Sequence, residues 1–380
     1  MKSSITLHNV IKMSAAGSGK TYDICKEALT LAGKGERVLI TTYTIRGVGA
    51  VKSEIRKQND GVLNPHIVVK SWYSFIMADM IKPYQLYLTD EVNAIKGYDF
   101  SNTYGKINYK KIGTRERYIT RANNVKSNEA ASLACKLNEL SGGKVVRRLE
   151  EVYKAIYFDE IQDLAGDDIT IMQNLMESDI DVICCGDSKQ ATYSTHNSRK
   201  NKNKTGKNIW IFFSDLEKRG LVQIEKNLKS RRFNRQICNF ANKVFPVGDS
   251  ISTIMDEVTE HDGVFLIDKS DVDEYQDMYS AQVLRYSCST YIDKYDAVNY
   301  GTCKGETFDR VMIFPNGPFE KFILNGKPLS SPEKYYVAVT RPRYSIVFVM
   351  EFLPKNVKGY EESLIGCKKK AIRALKYVPF

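Results

Sequence analysis

The segment Ser14–Thr21 reads SAAGSGKT, directly after the short apolar run 10–13 and ahead of the helix-compatible YDICKEALTLA. Glycines at 17 and 19 let successive backbone N–H groups turn inward, and the helix that follows presents its positive end to the same anion. Read this way, the backbone of Ala16, Gly17, Ser18 and Gly19 cradles phosphate oxygens and Lys20 neutralises the β- and γ-phosphates. The Thr21 hydroxyl holds Mg²⁺. The substrate expected of such a loop is a nucleoside triphosphate.

A phosphate loop needs a neighbouring strand that ends in an acid. Residues 156–164 read IYFDEIQDL, an apolar strand running into Asp159 and Glu160. One carboxylate then orders the metal and the next polarises the attacking water, with Asp159 as the metal residue and Glu160 as the base. Further short apolar runs recur at 38–40, 67–69, 155–158, 182–185, 311–314 and 346–350, each followed by a polar or glycine-bearing stretch. Continuous apolar runs of this length, spaced widely enough for helices, predict buried strands of parallel sheets. The fold class expected is α/β.

Composition bounds the rest. With 380 residues, 43% of them hydrophobic, the chain suits two domains of ordinary size. A formal charge of +11 favours a polyanionic partner. The eight cysteines form no C-x-x-C pair and there are only four histidines, which argues against a zinc site and a disulfide framework. The first ten residues, MKSSITLHNV, lack the apolar stretch of a signal peptide, and the longest apolar run, SIVFVMEFL, is too short to span a membrane. A cytoplasmic location is the expectation. Two segments break the alternation of runs. Residues 81–148 are tyrosine-rich and basic, and residues 198–207 (SRKNKNKTGK) form a cationic loop.

The order of motifs resembles superfamily 1 helicases of the UvrD/Rep/PcrA type. SAAGSGKT is followed by TTYT at 41–44, FDEIQD at 158–163, CGDSKQATY at 185–193 and YYVAVTRPR at 335–343, a series that spans nearly the whole chain. The resemblance implies two tandem RecA-like P-loop domains with parallel sheets, residues 1–219 with an insertion at about 81–148 and residues 220–380, with nucleotide held in the cleft between them. It also implies roles. Gln190 senses the γ-phosphate, and Arg341 is an arginine finger, a task that suits a permanently charged group with spread donors. A second phosphate arginine falls in NLKSRRFNRQICNFAN, where counting back from Ile237 selects Arg232 and counting from Asn227 selects Lys229. The unbroken helix that follows favours Arg232. Gly305, with Lys304 before it, matches the block that links nucleotide to nucleic acid. Thr42, Tyr43, Trp72 and Tyr193 fall on the nucleic-acid side, where aromatic rings stack on bases without demanding a particular one. Phe75 shares the block of Trp72, with a buried role open to both.

Departures from the family also carry expectations. No glutamine stands before the loop to read adenine, the ribose carboxylate is replaced by Thr307 or displaced to Glu306, and Thr195 stands where a second stacking tryptophan is usual. The room for inserted subdomains is small, as in the motors of phages and anti-phage defence systems. The expected activity is ATP-dependent 3′ to 5′ translocation on single-stranded DNA, RNA remaining open, with weak unwinding by the chain alone. The other expectation is a regulatory ATPase that serves a partner such as a nuclease. A small-molecule kinase needs none of the TTYT, GDSKQ and VAVTR blocks.

Overall fold

A computed structural model describes residues 8–101, 108, 110–191, 201, 204, 208–290, 292, 294–366 and 371–379. In chain order the first half runs β1 (Val10–Ser14), α1 (Lys20–Ala32), β2 (Val38–Thr42), α2 (Ile45–Gln58), β3 (Ile67–Ser71), α3 (Trp72–Phe75), β4 (Gly97–Asp99), α4 (Arg115–Tyr118), β5 (Asn124–Lys126), α5 (Ala130–Leu140), α6 (Lys144–Val152), β6 (Ala155–Phe158), α7 (Asp167–Met176), β7 (Asp181–Gly186), α8 (Ile209–Lys218) and β8 (Gln223–Asn227). The second half runs β9 (Lys229–Ser230), α9 (Arg235–Val244), β10 (Ser252–Thr253), β11 (Gly263–Asp268), α10 (Val272–Tyr279), β12 (Gln282–Arg285), β13 (Ala297–Asn299), β14 (Phe308–Phe314), α11 (Gly317–Asn325), α12 (Glu333–Val339), β15 (Pro342–Met350), β16 (Tyr360–Ile365) and β17 (Ile372–Tyr377). Contacts divide the chain into two compact units, one of Met1–Met13 with Lys20–Lys226, the other of Ser14–Gly19 with Asn227–Phe380. The division falls after Lys226, seven residues beyond the boundary expected from sequence, and the six loop residues 14–19 group with the second unit.

The six-stranded sheet of the first unit has the order β3-β2-β6-β7-β1-β8. Pairings β3/β2, β2/β6, β6/β7 and β7/β1 are all parallel. Such a sheet needs cover on both faces, and the strand residues divide between two cores with a period of two. Leu39, Ile156, Phe158, Val182 and Cys184 face one core, whereas Val38, Ile40, Ala155, Tyr157, Ile183 and Cys185 face the other. That is why these strands read as continuous apolar runs. Between β3 and β6 lies the insertion, where β4 and β5 pair in parallel as a small sheet of their own.

The second unit holds a seven-stranded sheet of order β13-β12-β14-β15-β11-β17-β16. Its pairings β13/β12, β12/β14, β14/β15 and β15/β11 are parallel, and β17 and β16 add an antiparallel edge. Val264, Leu266, Ile346 and Phe348 face one core while Phe265, Ile267, Val347 and Val349 face the other. The fold class is thus α/β with parallel sheets in both units. Among the described residues no helix is long and apolar enough to cross a membrane, and no disulfide joins two of the described cysteines.

Candidate functional site

The loop after β1 turns at Gly17 (φ +71°) and Gly19 (φ +95°), conformations that only glycine adopts without strain. Ser18 N donates to Ala15 O at 3.2 Å, closing the turn, and α1 then starts at Lys20. The Ser18 hydroxyl is buried with no protein partner, a vacant donor within the loop. Ala15 N donates to Asn227 O at 2.9 Å and Gly17 O accepts from Arg231 N at 2.8 Å. A Cβ built on Gly17 would lie 2.5 Å from Arg232 Cβ and 2.7 Å from Ser230 Oγ, so close approach as well as φ requires glycine here. Arg232 thus lies against the loop by its Cβ, while its Nη1 donates to Thr340 O at 3.0 Å, and Arg231 Nη1 lies 3.9 Å from a Cβ built on Gly19. Lys229, the residue picked by the other register, is exposed on β9.

In the first unit, β6 ends at the acidic pair. Thr21 Oγ1 lies 3.5 Å from Asp159 Oδ2, and Asp159 N is bonded to Thr41 O of the neighbouring β2 at 2.9 Å. A hydroxyl and a carboxylate so placed are hard oxygen donors, and a small divalent cation that keeps waters and phosphate oxygens needs no more from the protein. This fits Mg²⁺. Among the described residues no group of three or more His, Cys, Asp or Glu forms a metal cage.

Glu160 adopts φ +61°, ψ +44°, the left-handed region, which costs a non-glycine residue on the order of 1 kcal/mol. Its backbone N–H donates to Asp159 Oδ1 at 3.0 Å, and Gln162 Nε2 donates to Glu160 Oε2. The other end of the Gln162 amide accepts from Asp187 N at 3.2 Å, just past β7. Asp187 in turn accepts from Lys189 N at 2.9 Å and Gln190 Nε2 at 2.8 Å. One polar chain thus joins the acidic pair to Gln190. Burial pushes the Asp187 carboxyl above its ordinary range, while Lys20 and the two donors pull it back. Gln162 and Asp187 stand inside motifs quoted from the sequence, yet their roles were not read there. Gly186 was the available signal, because a Cβ on it would meet Gln162 Oε1 at 2.5 Å.

The expected nucleic-acid residues part company. Tyr43 is half-buried after β2, its ring centroid 6.1 Å from that of Tyr73. Thr42 is buried, its hydroxyl wedged against Gly47. Trp72 corrects the expectation of a base platform. Its indole is 2% exposed, packs on Phe75 and Phe158, and donates to Asp168 Oδ1 at 2.8 Å. Phe75 is likewise core. Tyr193, Thr195 and most of the cationic loop 198–207 lie outside the described residues.

In the second unit, Arg341 is 1% exposed and points inward. Its Nε donates to Val337 O at 2.9 Å, Nη1 to Glu306 O at 3.3 Å and Nη2 to Thr340 Oγ1 at 3.2 Å. Gly305 sits at φ +90° in a turn with open space where a side chain would be, and Lys304 before it is half-buried.

Residues 76–205 match the family model of the UvrD/REP helicase N-terminal domain. This segment takes in the insertion, the acidic pair and the polar chain to Gln190, and begins in sequence after the loop at 14–21. Among curated proteins none matches the chain. A solved structure similar to it is arterivirus nonstructural protein 10, a helicase, in complex with DNA, at 13% identity and a TM-score of 0.44. The alignment covers 90% of this chain and 59% of that one, so the chain spans about three-fifths of that protein's length.

Proposed function

We propose that the protein is an ATP-hydrolysing motor that moves 3′ to 5′ along single-stranded DNA. The observation that carries this reading is the polar chain from Glu160 through Gln162 and Asp187 to Gln190, which lies within residues 76–205, with Asp159 beside it facing Thr21. Lys20 and the loop N–H groups bind the β- and γ-phosphates. Thr21 and Asp159 would hold Mg²⁺, which would offset the charge gathering on the phosphate oxygens. Glu160 takes a proton from water as its oxygen attacks the γ-phosphorus and the bond to the β-phosphate oxygen breaks, leaving ADP and phosphate. Gln162 fixes the carboxylate and ties it to Gln190, whose motif is followed by Tyr193, so that hydrolysis answers to a bound strand.

Arg341 serves as the finger in this reading by exchanging its bonds to Val337 O, Glu306 O and Thr340 Oγ1 for phosphate oxygens. Arg232 and Gly305 complete the nucleotide contacts, and Lys304 and Tyr43 belong to the strand. The test is ATP turnover by the pure protein with and without single-stranded DNA and RNA. Stimulation by single-stranded DNA, weakening with salt as counterion release requires, is the expected result. A turnover indifferent to every nucleic acid would overturn the reading.

A further inference from the structure

Tyr43 follows β2, Tyr73 lies in the helical turn after β3, and Phe100 follows β4, so three strands of the first unit each deliver a ring at their carboxyl end. The rings adjoin. Centroids of Tyr43 and Tyr73 are 6.1 Å apart, and those of Tyr73 and Phe100 are 5.6 Å apart. Tyr98 braces the row from the insertion, 5.2 Å from Tyr73 and 5.7 Å from Phe100, and its hydroxyl donates to Tyr73 O at 2.8 Å. Exposure rises outward, from half-buried Tyr43 and Tyr73 to Phe100 at 56%. Mutual packing fixes the rings before any ligand arrives, which lowers the ordering cost of binding. Burial also raises the Tyr73 and Tyr98 hydroxyls well above their ordinary range, so neither ring carries charge against a polyanion.

We infer that Tyr43, Tyr73 and Phe100 form one base-stacking row for single-stranded nucleic acid, with Phe100 of the insertion as its outermost step. The inference rests on the proposed motor function and adds residues that no motif in the sequence marked. Charge favours nucleic acid over an apolar protein partner. Residues 81–148 carry thirteen Lys and Arg against six Asp and Glu, which is most of the chain's excess of +11. Rings offer any base a π-face, whereas a protein-docking patch would be served as well by aliphatic groups.

The experiment measures binding of fluorescein-labelled oligothymidylate by anisotropy across a salt series, for the wild-type chain, Phe100→Ala, Phe100→Leu and Phe100→Trp. Phe100→Leu keeps apolar volume against Tyr73 and Tyr98 and so guards against a mere loss of fold, which thermal melting checks alongside. The Ala and Leu variants should both bind about tenfold more weakly, with Trp restoring affinity. The salt slope should not change, since no phosphate contact is removed. An oligonucleotide of abasic sites should erase the difference between wild type and Phe100→Ala. Equal affinity of Phe100→Ala and wild type overturns the row, and so does wild-type affinity of Phe100→Leu, which marks an apolar contact instead of ring stacking. A wild-type chain that binds no single strand overturns the motor reading beneath it as well.

Discussion

Glu160 and Lys20 do different work although each touches the same substrate in the proposed reaction. Lys20→Ala removes charge from the phosphates, so nucleotide affinity and turnover should both fall. Glu160→Gln keeps the shape and the hydrogen bond from Gln162 but cannot accept the water's proton, so it should bind nucleotide and hydrolyse none. Equilibrium binding of a fluorescent ATP analogue beside steady-state turnover separates the two. Arg341→Ala should lose on the order of 10³ in rate if the guanidinium works as a finger. Because Arg341 is buried, thermal melting must accompany that measurement. A variant that folds and turns over normally would remove Arg341 from the reaction. The glycine-bearing loop and the acidic strand end were legible in the sequence because local spacing fixes both. The left-handed turn at Glu160 and the bridge through Gln162 were not, since both depend on β7 arriving beside β6.

Among the elements, α2 begins where the Thr44 hydroxyl accepts from Gly47 N at 3.0 Å. Thr44→Ala should cost about 1 kcal/mol of stability by denaturant titration, the usual worth of such a cap. In the second unit His261 is packed between β11 and α10, its ring 4.5 Å from that of Phe265 and 4.4 Å from that of Tyr279. Burial, with Arg310 and Lys376 adding to it, depresses the imidazole from 6.5 to about 3. The unfolded chain therefore binds a proton that the folded one refuses, and the unit keeps its full stability above pH 6.5. Stability should fall as the pH drops from there towards 3, and His261→Gln should flatten that slope in melts recorded across the range. An unaltered slope would place the acid sensitivity elsewhere. The strands themselves were evident in the sequence, because a sheet buried on both faces leaves continuous apolar runs. The parallel β4/β5 pair was not, since three-residue strands carry too little pattern.

At the scale of the whole molecule, little chain is left for controlling a duplex. Between α9 and β14 the second unit places β11, β12 and β13 in its central sheet, and the first unit's insertion is confined to about 70 residues. Opening each base pair costs stacking of about 1.4 kcal/mol, and the parted strands must be kept apart during the next step. The chain alone should therefore unwind poorly even where it translocates. A duplex with a long 3′ tail, mixed with protein, ATP and a trap strand, tests this in a single turnover. Efficient separation of several helical turns without a partner would show that the compact architecture suffices.

Sequence by itself determined the phosphate loop, the acidic strand end, the α/β class and the order of the motifs, because each is written in residues close together along the chain. Only the tertiary structure decided which aromatic rings face inward. Trp72 and Phe75 fell to the core while Tyr73, between them in sequence, joined Tyr43 and Phe100. It likewise turned Arg341 towards the carbonyls of its own unit. The reason is common to both. A side chain's burial is set by the elements packed against it, and those come from segments tens or hundreds of residues away, beyond the reach of any local spacing.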